Sequence, residues 1–296
     1  MLDAHGITVD SIATSGPGHA GEIARRAVDR GADLILVAGG DGTINEAVNG
    51  MANSDVPLGI LPAGTANVLA NELGIGSTME RAAEVLADSV KERVALGLIS
   101  SEIEDSRRHF LLMAGAGLDA DIVYNLNQRM KEAFGKVAYW VGGFSKVGRR
   151  IPEFTVRAEG REYRASFALL SRVRNYGGDL EIAPTISLLD DEFEMVLFEG
   201  ESSFGFLKYM LAVVVHQQQT MRGITIVRTR QAVFSAPEDS KIHLQVDGEY
   251  VGLAPARVEI VPNALTLLVP PDFRARRPAS VPTSVGDAQW TTSPTR

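Results

Sequence analysis

A strand, a glycine turn and a helix follow one another twice near the start of the sequence, and this repeat constrains the fold most. The first copy is LILVAGGDGTINEAVNG (34–50), and the second is VPLGILPAGTANVLANELGI (56–75). The apolar run of the first copy does not alternate with polar residues, which is typical of a strand covered on both faces in a parallel sheet. Parallel neighbours place both turns at the carboxyl ends of their strands, where open α/β sheets bind ligands. The repeat predicts an α/β domain with a ligand crevice at the two turns.

Each turn leads into the amino-terminal end of a helix, where amide N–H groups and the helix dipole attract anions such as phosphate. We expect Thr43 to cap the first helix, with Glu46 completing a capping box, and Thr65 to cap the second. The first turn matches neither the Walker loop nor the GxGxxG fingerprint. Asp41 beside a phosphate would require a cation between them or a role in accepting a proton. The alternative is an ordinary turn residue, since Asp-Gly is common in turns.

Several motifs, in order, resemble those of the diacylglycerol kinase catalytic-domain family, which includes bacterial diacylglycerol kinases, related lipid kinases and the sphingosine and ceramide kinases. The motifs are GGDGT with Asn45 and Glu46, the second turn from Leu58 to Asn67, AGAGLDADIV (114–123), FGKVAYWVGG (134–143), IAPTISLLDDEFEMVLF (182–198) and VDGEY (246–250). The resemblance extends over roughly residues 7 to 270. It implies an α/β domain similar to those of NAD kinase and diacylglycerol kinase, followed by a β-sandwich domain.

The same resemblance implies that ATP and Mg²⁺ serve to phosphorylate a hydroxyl of a membrane lipid such as diacylglycerol. It assigns nucleotide contacts to Gly39, Gly40, Asp41, Gly42, Thr43, Asn45, Glu46, Gly64, Thr65 and Asn67. Asp247 and Glu249 become an acidic pair that faces the nucleotide. We expect Asp247 to act as the base that accepts the lipid hydroxyl proton, and Asp41 to hold magnesium and phosphate. Without the resemblance, VDGEY is a plain hairpin turn.

Two further sites follow from the resemblance. The Asp191 side chain and the carbonyl groups of Leu188 and Phe193 would bind a second cation; the alternative is a solvated acidic turn, favoured by Glu192 where the family usually has glycine. Asp119 is expected either to cap a helix or to contact the lipid head group.

Other features depart from the family pattern. The family usually begins with a strand and an Asn-Pro turn, whereas this chain begins with what reads as the second strand, so roughly 30 residues, the length of one strand-helix unit, are expected to be missing. Val68 stands where many diacylglycerol kinases have aspartate. Two alternatives stay open: an enzyme similar to NAD kinase, and a catalytically inactive protein that binds lipid or nucleotide.

The predicted organisation is an α/β domain at 1–93, a β-rich domain at 94–270 and a disordered tail at 271–296. A net charge of −8 argues against general nucleic-acid binding, and the lack of cysteine excludes thiolate chemistry. We expect a cytoplasmic protein that touches the inner membrane surface, with a homodimer possible. Candidate lipid-contacting segments are 129–150, which mixes aromatic and basic residues, and 204–216; each could equally pack on the protein.

Overall fold

A computed structural model describes residues 8–101, 103, 106–125, 151–176 and 180–275. Its helices are α1 (His19–Asp29), α2 (Asp41–Met51), α3 (Val68–Leu73), α4 (Met79–Ala87), α5 (Leu118–Asn125), α6 (Ser203–Val214) and α7 (Pro271–Ala275). Its strands are β1 (Ile35–Gly39), β2 (Pro57–Pro62), β3 (Val90–Ser101), β4 (Ser106–Phe110), β5 (Met113–Gly117), β6 (Phe154–Ala158), β7 (Arg161–Ala165), β8 (Phe167–Ser171), β9 (Asn175–Tyr176), β10 (Leu180–Glu181), β11 (Phe193–Phe198), β12 (Ile224–Thr229), β13 (Gln231–Ser235), β14 (His243–Val246), β15 (Glu249–Leu253) and β16 (Ala256–Val269).

Two large sheets contain fourteen of these strands, and β9 and β10 form a small antiparallel pair of their own. The first has the order β1-β2-β16-β13-β6-β7, with β3 paired to β16 and β4 paired to β3. The second has the order β12-β11-β8-β5-β14-β15. The pairs β1–β2 and β2–β16 are parallel, and the remaining pairs are antiparallel. The predicted combination of an α/β unit and a β-sandwich is therefore confirmed.

Strand β11 shows why the sandwich core forms. Its six residues, FEMVLF, are all buried. Successive side chains of a strand point to opposite faces. Phe193, Met195 and Leu197 belong to the core between the two sheets, whereas Val196 and Phe198 belong to the core that also includes α2, α3 and β2. One strand thus contributes to both cores, which holds the glycine turns and the sandwich in a fixed relation.

The predicted domain boundary at 93/94 falls inside β3. Strand β16 also belongs to both units. The first part of β16 pairs with β13 in the sandwich, and Thr266 and Leu267 pair in parallel with Pro57 and Leu58 of β2. The C-terminal strand is therefore part of the α/β sheet, so a division by sequence position alone does not separate the two units.

Several local expectations need correction. Strand β1 is not covered on both faces, since Val37 is buried but Ala38 is exposed. Within the described ranges β1 pairs only with β2. Residues 8–15 form no strand. The tail begins with the short helix α7, whose Phe273 is buried, while 276–296 lie outside the described residues, as do 126–150 and hence segment 129–150.

Helix α6 covers most of the other candidate lipid segment. Met210, Ala212 and Val213 are buried, whereas Leu211 and Val214 are exposed. None of the helices formed by the described residues is long and apolar enough to cross a membrane.

Candidate active site

The two glycine turns meet directly. Strands β1 and β2 run in parallel with Gly39 opposite Pro62, and the Ala63 N–H donates to the Gly39 carbonyl (3.1 Å). A Cβ atom on Gly64 would lie 2.5 Å from the Gly40 Cα atom, so this backbone approach requires glycine. The prediction that the two turns lie side by side at the carboxyl ends of parallel strands is confirmed.

Asp41 belongs to the first turn but hydrogen-bonds to the helix that follows the second turn. Helix α2 begins at Asp41, and the Asp41 carboxylate accepts hydrogen bonds from the N–H groups of Val68 (3.1 Å) and Leu69 (3.3 Å) at the start of α3. Burial raises the pKa of Asp41, and the hydrogen bonds from the backbone oppose that shift. Asp41 is therefore the capping group of α3, and it joins the two turns electrostatically.

The prediction that Thr43 and Thr65 cap the two helices is wrong. Gly40 occupies the cap position of α2 and Asn67 that of α3, and neither side chain caps its own helix. Thr65 lies exposed in the turn. Asn67 adopts a left-handed backbone (φ 46°) and exchanges two hydrogen bonds with the Gly64 backbone, which closes the turn on itself.

Glu46 serves a different helix. Its carboxylate accepts from the N–H groups of Gly18 (2.7 Å) and Ala20 (3.2 Å) at the start of α1. Both carboxylate oxygens are thereby engaged in holding α1 against α2. The predicted capping box with Thr43 is absent, because the Glu46 carboxylate caps α1 instead.

Asn45 connects α2 to the β-rich part of the chain. It is 1% exposed, and its Nδ2 donates to the His109 carbonyl (3.1 Å) and to Asp247 Oδ2 (2.8 Å). Asn45 Oδ1 accepts from the Arg108 guanidinium (2.8 and 3.0 Å). Every polar atom of the amide is therefore used inside the protein, so Asn45 orients its neighbours and does not present a free group to a nucleotide.

Asp247 lies at the tip of the hairpin formed by β14 and β15, as the VDGEY pattern predicts. Asp247 (φ 48°) and Gly248 (φ 84°) both have left-handed backbones, which is the geometry of a two-residue type I′ turn. The carboxylate accepts four hydrogen bonds of 2.8–3.0 Å, from Asn45 Nδ2 and from the N–H groups of Leu111, Leu112 and Met113. Four bonds use about all the acceptor positions that a carboxylate has.

The environment of Asp247 is therefore that of a structural anion. It is 9% exposed, and burial raises the pKa of this carboxyl while its hydrogen bonds oppose the shift. A general base must accept a further hydrogen bond from the group that it deprotonates. With its acceptor positions filled, Asp247 has little capacity for that task in this geometry.

Glu249, two residues further along, has the opposite character. Its side chain is 38% exposed, and Oε2 accepts from Arg108 Nη2 (2.5 Å). Its Oε1 lies against the glycine turn, since a Cβ atom on Gly42 would be only 2.7 Å from it. A solvent-accessible carboxylate thus reaches the first turn of α2. Arg108 was not predicted as a site residue, and no local pattern in the sequence marks it.

Asp119 is buried and hydrogen-bonded inside the protein. It is 0% exposed, and its carboxylate accepts hydrogen bonds from the Tyr176 hydroxyl and from Gln245 Nε2 (2.7 Å). Gln245 Oε1 in turn accepts from the Gly248 N–H (2.9 Å) in the hairpin tip. Asp119 therefore supports the hairpin from beneath and lies inside the first turn of α5, not at its cap position. The head-group contact stays a prediction.

The buried Asp119 gives a testable pH dependence. Burial raises its pKa from the ordinary 3.8 to about 6, so the folded protein favours the neutral acid. The free energy of unfolding should therefore fall as pH rises from about 4 to about 6, by at most about 3 kcal/mol. We expect Asp119→Asn, measured by urea unfolding at several pH values, to lose this dependence. A difference from wild type that stays constant between pH 4 and 8 would contradict the assignment.

The acidic turn at 187–193 already uses one of the atoms predicted to bind a second cation. The Leu188 carbonyl accepts a hydrogen bond from the Arg172 guanidinium (2.8 Å), and the Asp191 side chain is exposed. Among the residues that the structure describes, no group of three or more acidic or histidine side chains could hold a metal ion.

Comparison with known families agrees with this architecture. Residues 1–99 match the family described as the diacylglycerol kinase catalytic domain. Residues 113–269, more than half of the chain, match the family described as the YegS C-terminal NAD kinase beta sandwich-like domain. This chain belongs to the diacylglycerol kinase family. The assignment made from the motifs, and with it the kinase class of phosphotransferases, is confirmed.

Individual relatives span most of the chain. A diacylglycerol kinase of Bacillus subtilis is 28% identical over 256 residues, which are 84% of this chain and 82% of the relative. A diacylglycerol kinase of Mycobacterium tuberculosis is 27% identical over 274 residues, 91% of this chain and 87% of the relative. The crystal structure of a diacylglycerol kinase from Bacillus anthracis has a TM-score of 0.70 at 21% identity and covers 88% of this chain and 85% of that one, which supports the fold.

Proposed function

We propose that this protein transfers the γ-phosphate of ATP to a hydroxyl of a membrane lipid, with diacylglycerol as the first candidate. The contact between the Glu249 carboxylate and the Gly42 backbone carries the proposal, because it brings a proton acceptor to a helix end suited to phosphate. The family relatives named diacylglycerol kinase support the choice of lipid.

In this proposal the two glycine turns bind the phosphates. The N-terminal end of α2 has no side-chain cap, so its first-turn amides are available for an anion. Asp41 retains acceptor capacity beyond its two bonds to α3 and would hold a Mg²⁺ ion that accompanies ATP. Such an ion would offset the charge of the transferred phosphate.

The base is Glu249 rather than Asp247. Glu249 accepts the proton of the attacking hydroxyl, Arg108 holds its Oε2, and Asn45 holds Arg108. Asp247 keeps the hairpin and the link between β4 and β5 in place. This division of roles revises the prediction of Asp247 as base, because Glu249 is more exposed than Asp247 and its carboxylate lies beside Gly42.

Membrane contact is part of the proposal, since a kinase that acts on a lipid must reach the bilayer surface. The exposed Leu211 and Val214 on α6 are one apolar candidate surface. A cytoplasmic location at the inner membrane surface is proposed on the same ground, and the homodimer stays a prediction.

Transfer of radiolabelled phosphate tests the function. The protein would be incubated with γ-labelled ATP and Mg²⁺ and with mixed micelles of diacylglycerol, ceramide, sphingosine or phosphatidylglycerol, with NAD in a parallel reaction. Label in diacylglycerol supports the proposal, and label in another lipid changes only the acceptor. Label in NADP, or ATP binding with no transfer to any acceptor, would contradict it.

The contact between the glycine turns gives a second test. In Gly64→Ala, the new Cβ atom would lie 2.5 Å from Gly40 Cα and 2.9 Å from Asn67 Oδ1, so the turns must separate. We expect kcat/KM for ATP to fall by about 10–100-fold, because shifts near 1 Å in a positioned site cost that much. Gly16→Ala is the control, since Gly16 has open space around it. Unchanged kinetics in Gly64→Ala would exclude this turn from the nucleotide site.

A further inference from the structure

The acidic turn at 187–193 is closed by one of its own carboxylates. The Ser187 N–H donates to Asp190 Oδ2 (3.0 Å), and the Asp190 N–H donates to the Ser187 carbonyl (2.9 Å). The Leu189 N–H donates to Ser187 Oγ (3.3 Å). Asp190, and not the predicted ligand Asp191, is therefore the carboxylate directed into the turn.

A buried guanidinium lies where the carbonyl groups of the turn converge. Arg172 follows β8 and is 0% exposed. Its Nη2 donates to the carbonyl groups of Leu188 (2.8 Å) and Asp190 (3.3 Å). Its Nη1 donates to the Ala95 carbonyl (2.5 Å) and, at 3.4 Å, to that of Leu111. Burial lowers the pKa of Arg172 to about 10, and Asp191, Asp247 and Asp190 oppose that shift, so the group is charged at neutral pH.

A second guanidinium approaches the same turn from β12. Arg228 Nη1 lies 3.2 Å from Asp190 Oδ2 and 3.7 Å from Glu192 Oε2. Its Nε donates to Thr185 Oγ1 (3.3 Å), and its Nη2 donates to the Thr185 carbonyl. The side chain is 32% exposed, so Arg228 covers the turn at the protein surface.

These contacts compete with a divalent cation. Ca²⁺ and Mg²⁺ require about six or more oxygen ligands. Here a carbonyl predicted as a ligand, that of Leu188, already accepts from a cation, and Asp190 is shared between Arg228 and the turn backbone. Two guanidinium groups beside the turn would also repel a dication.

We infer that in this chain the guanidinium groups of Arg172 and Arg228 take the place of a divalent cation in the acidic turn. The carboxylates of Asp190, Asp191 and Glu192 lie near two positively charged side chains, those of Arg172 and Arg228. The fold of the turn is therefore independent of metal.

Thermal unfolding without nucleotide or lipid tests this inference, so its result does not depend on the proposed kinase reaction. Wild type would be unfolded in EDTA and in about 10 mM Mg²⁺ or Ca²⁺, which exceeds the dissociation constants of weak sites. We expect the Tm values to agree within about 1 °C. A rise of about 5 °C that Asp191→Asn abolishes would overturn the inference, because such a rise is what a metal bound only by the folded turn would produce.

Arg228→Gln provides the complementary measurement, because its partly exposed position lets the variant fold. Asp190 and Glu192 would then lose their cation at the surface, and we expect Tm to fall by about 3–8 °C in EDTA. Arg257→Gln is the matched control, since Arg257 is paired with Glu259 on an exposed part of β16 and should shift Tm by less than about 2 °C. Unfolding of Arg228→Gln at the wild-type temperature would refute the stabilising role of the guanidinium.

Discussion

Asp247→Asn is expected to lower the free energy of unfolding by about 2–4 kcal/mol and to reduce transfer, because the hairpin that carries Glu249 loses part of its link to β4 and β5. The asparagine amide would present N–H groups to backbone donors that now point at a carboxylate, those of Leu112 and Met113 or that of Leu111. Asparagine tolerates the left-handed backbone of this position, so the loss would come from the missing acceptor and not from the turn. Urea unfolding at neutral pH measures the difference.

The control for this variant is Asp239→Asn, in an exposed segment between β13 and β14. A surface substitution of this kind should change stability by less than about 0.5 kcal/mol. If Asp247→Asn instead unfolds like wild type and still loses all transfer, the structural role is excluded, and the base would be Asp247 after all.

Glu249→Gln is expected to reduce kcat by about 10²–10⁴-fold, the range that a general base contributes. Glutamine has the same shape and can still accept from Arg108, but it cannot take a proton from the lipid hydroxyl. The KM for ATP and the Tm should change little, because Glu249 is 38% exposed and glutamine keeps the hydrogen bond with Arg108. Steady-state phosphate transfer into lipid micelles, together with a thermal unfolding curve, separates these effects.

Glu259→Gln is a close control for Glu249→Gln. Glu259 also lies on a strand, is 35% exposed against 38% for Glu249, and is paired with an arginine, Arg257. It lies opposite Gln231 of β13 in the sandwich part of the sheet, so Glu259→Gln should leave kcat unchanged. Near-normal turnover in Glu249→Gln would remove Glu249 from the chemistry.

Local patterns were sufficient for the framework of the site. The apolar runs and glycines predicted two parallel strands with adjoining turns, and Asp-Gly between alternating residues predicted the hairpin that carries Asp247. Both predictions rest on interactions between residues that are close in sequence or on the regular geometry of parallel strands. The structure retains both features.

Long-range partners could not be inferred in the same way. A glutamate three residues after a threonine predicts a local capping box, yet Glu46 caps α1, 28 residues earlier along the chain. A glutamate accepts hydrogen bonds from a helix end in either case, so the sequence does not reveal which helix Glu46 caps. Arg108 and Glu249 are 141 residues apart and meet only because the hairpin folds over β4. The partners of Arg172 are backbone carbonyl groups, which leave no mark on the sequence.

The return of β16 to the α/β sheet has a consequence for synthesis of the protein. Strand β2 gains its second parallel neighbour only after Thr266 and Leu267 have been synthesised, about 200 residues later than β2 itself. Until then one edge of the strand that leads into the second glycine turn has exposed N–H and carbonyl groups. The nascent chain therefore carries an unfinished α/β sheet throughout most of translation. We expect this interval to be the period in which the chain depends most on chaperones.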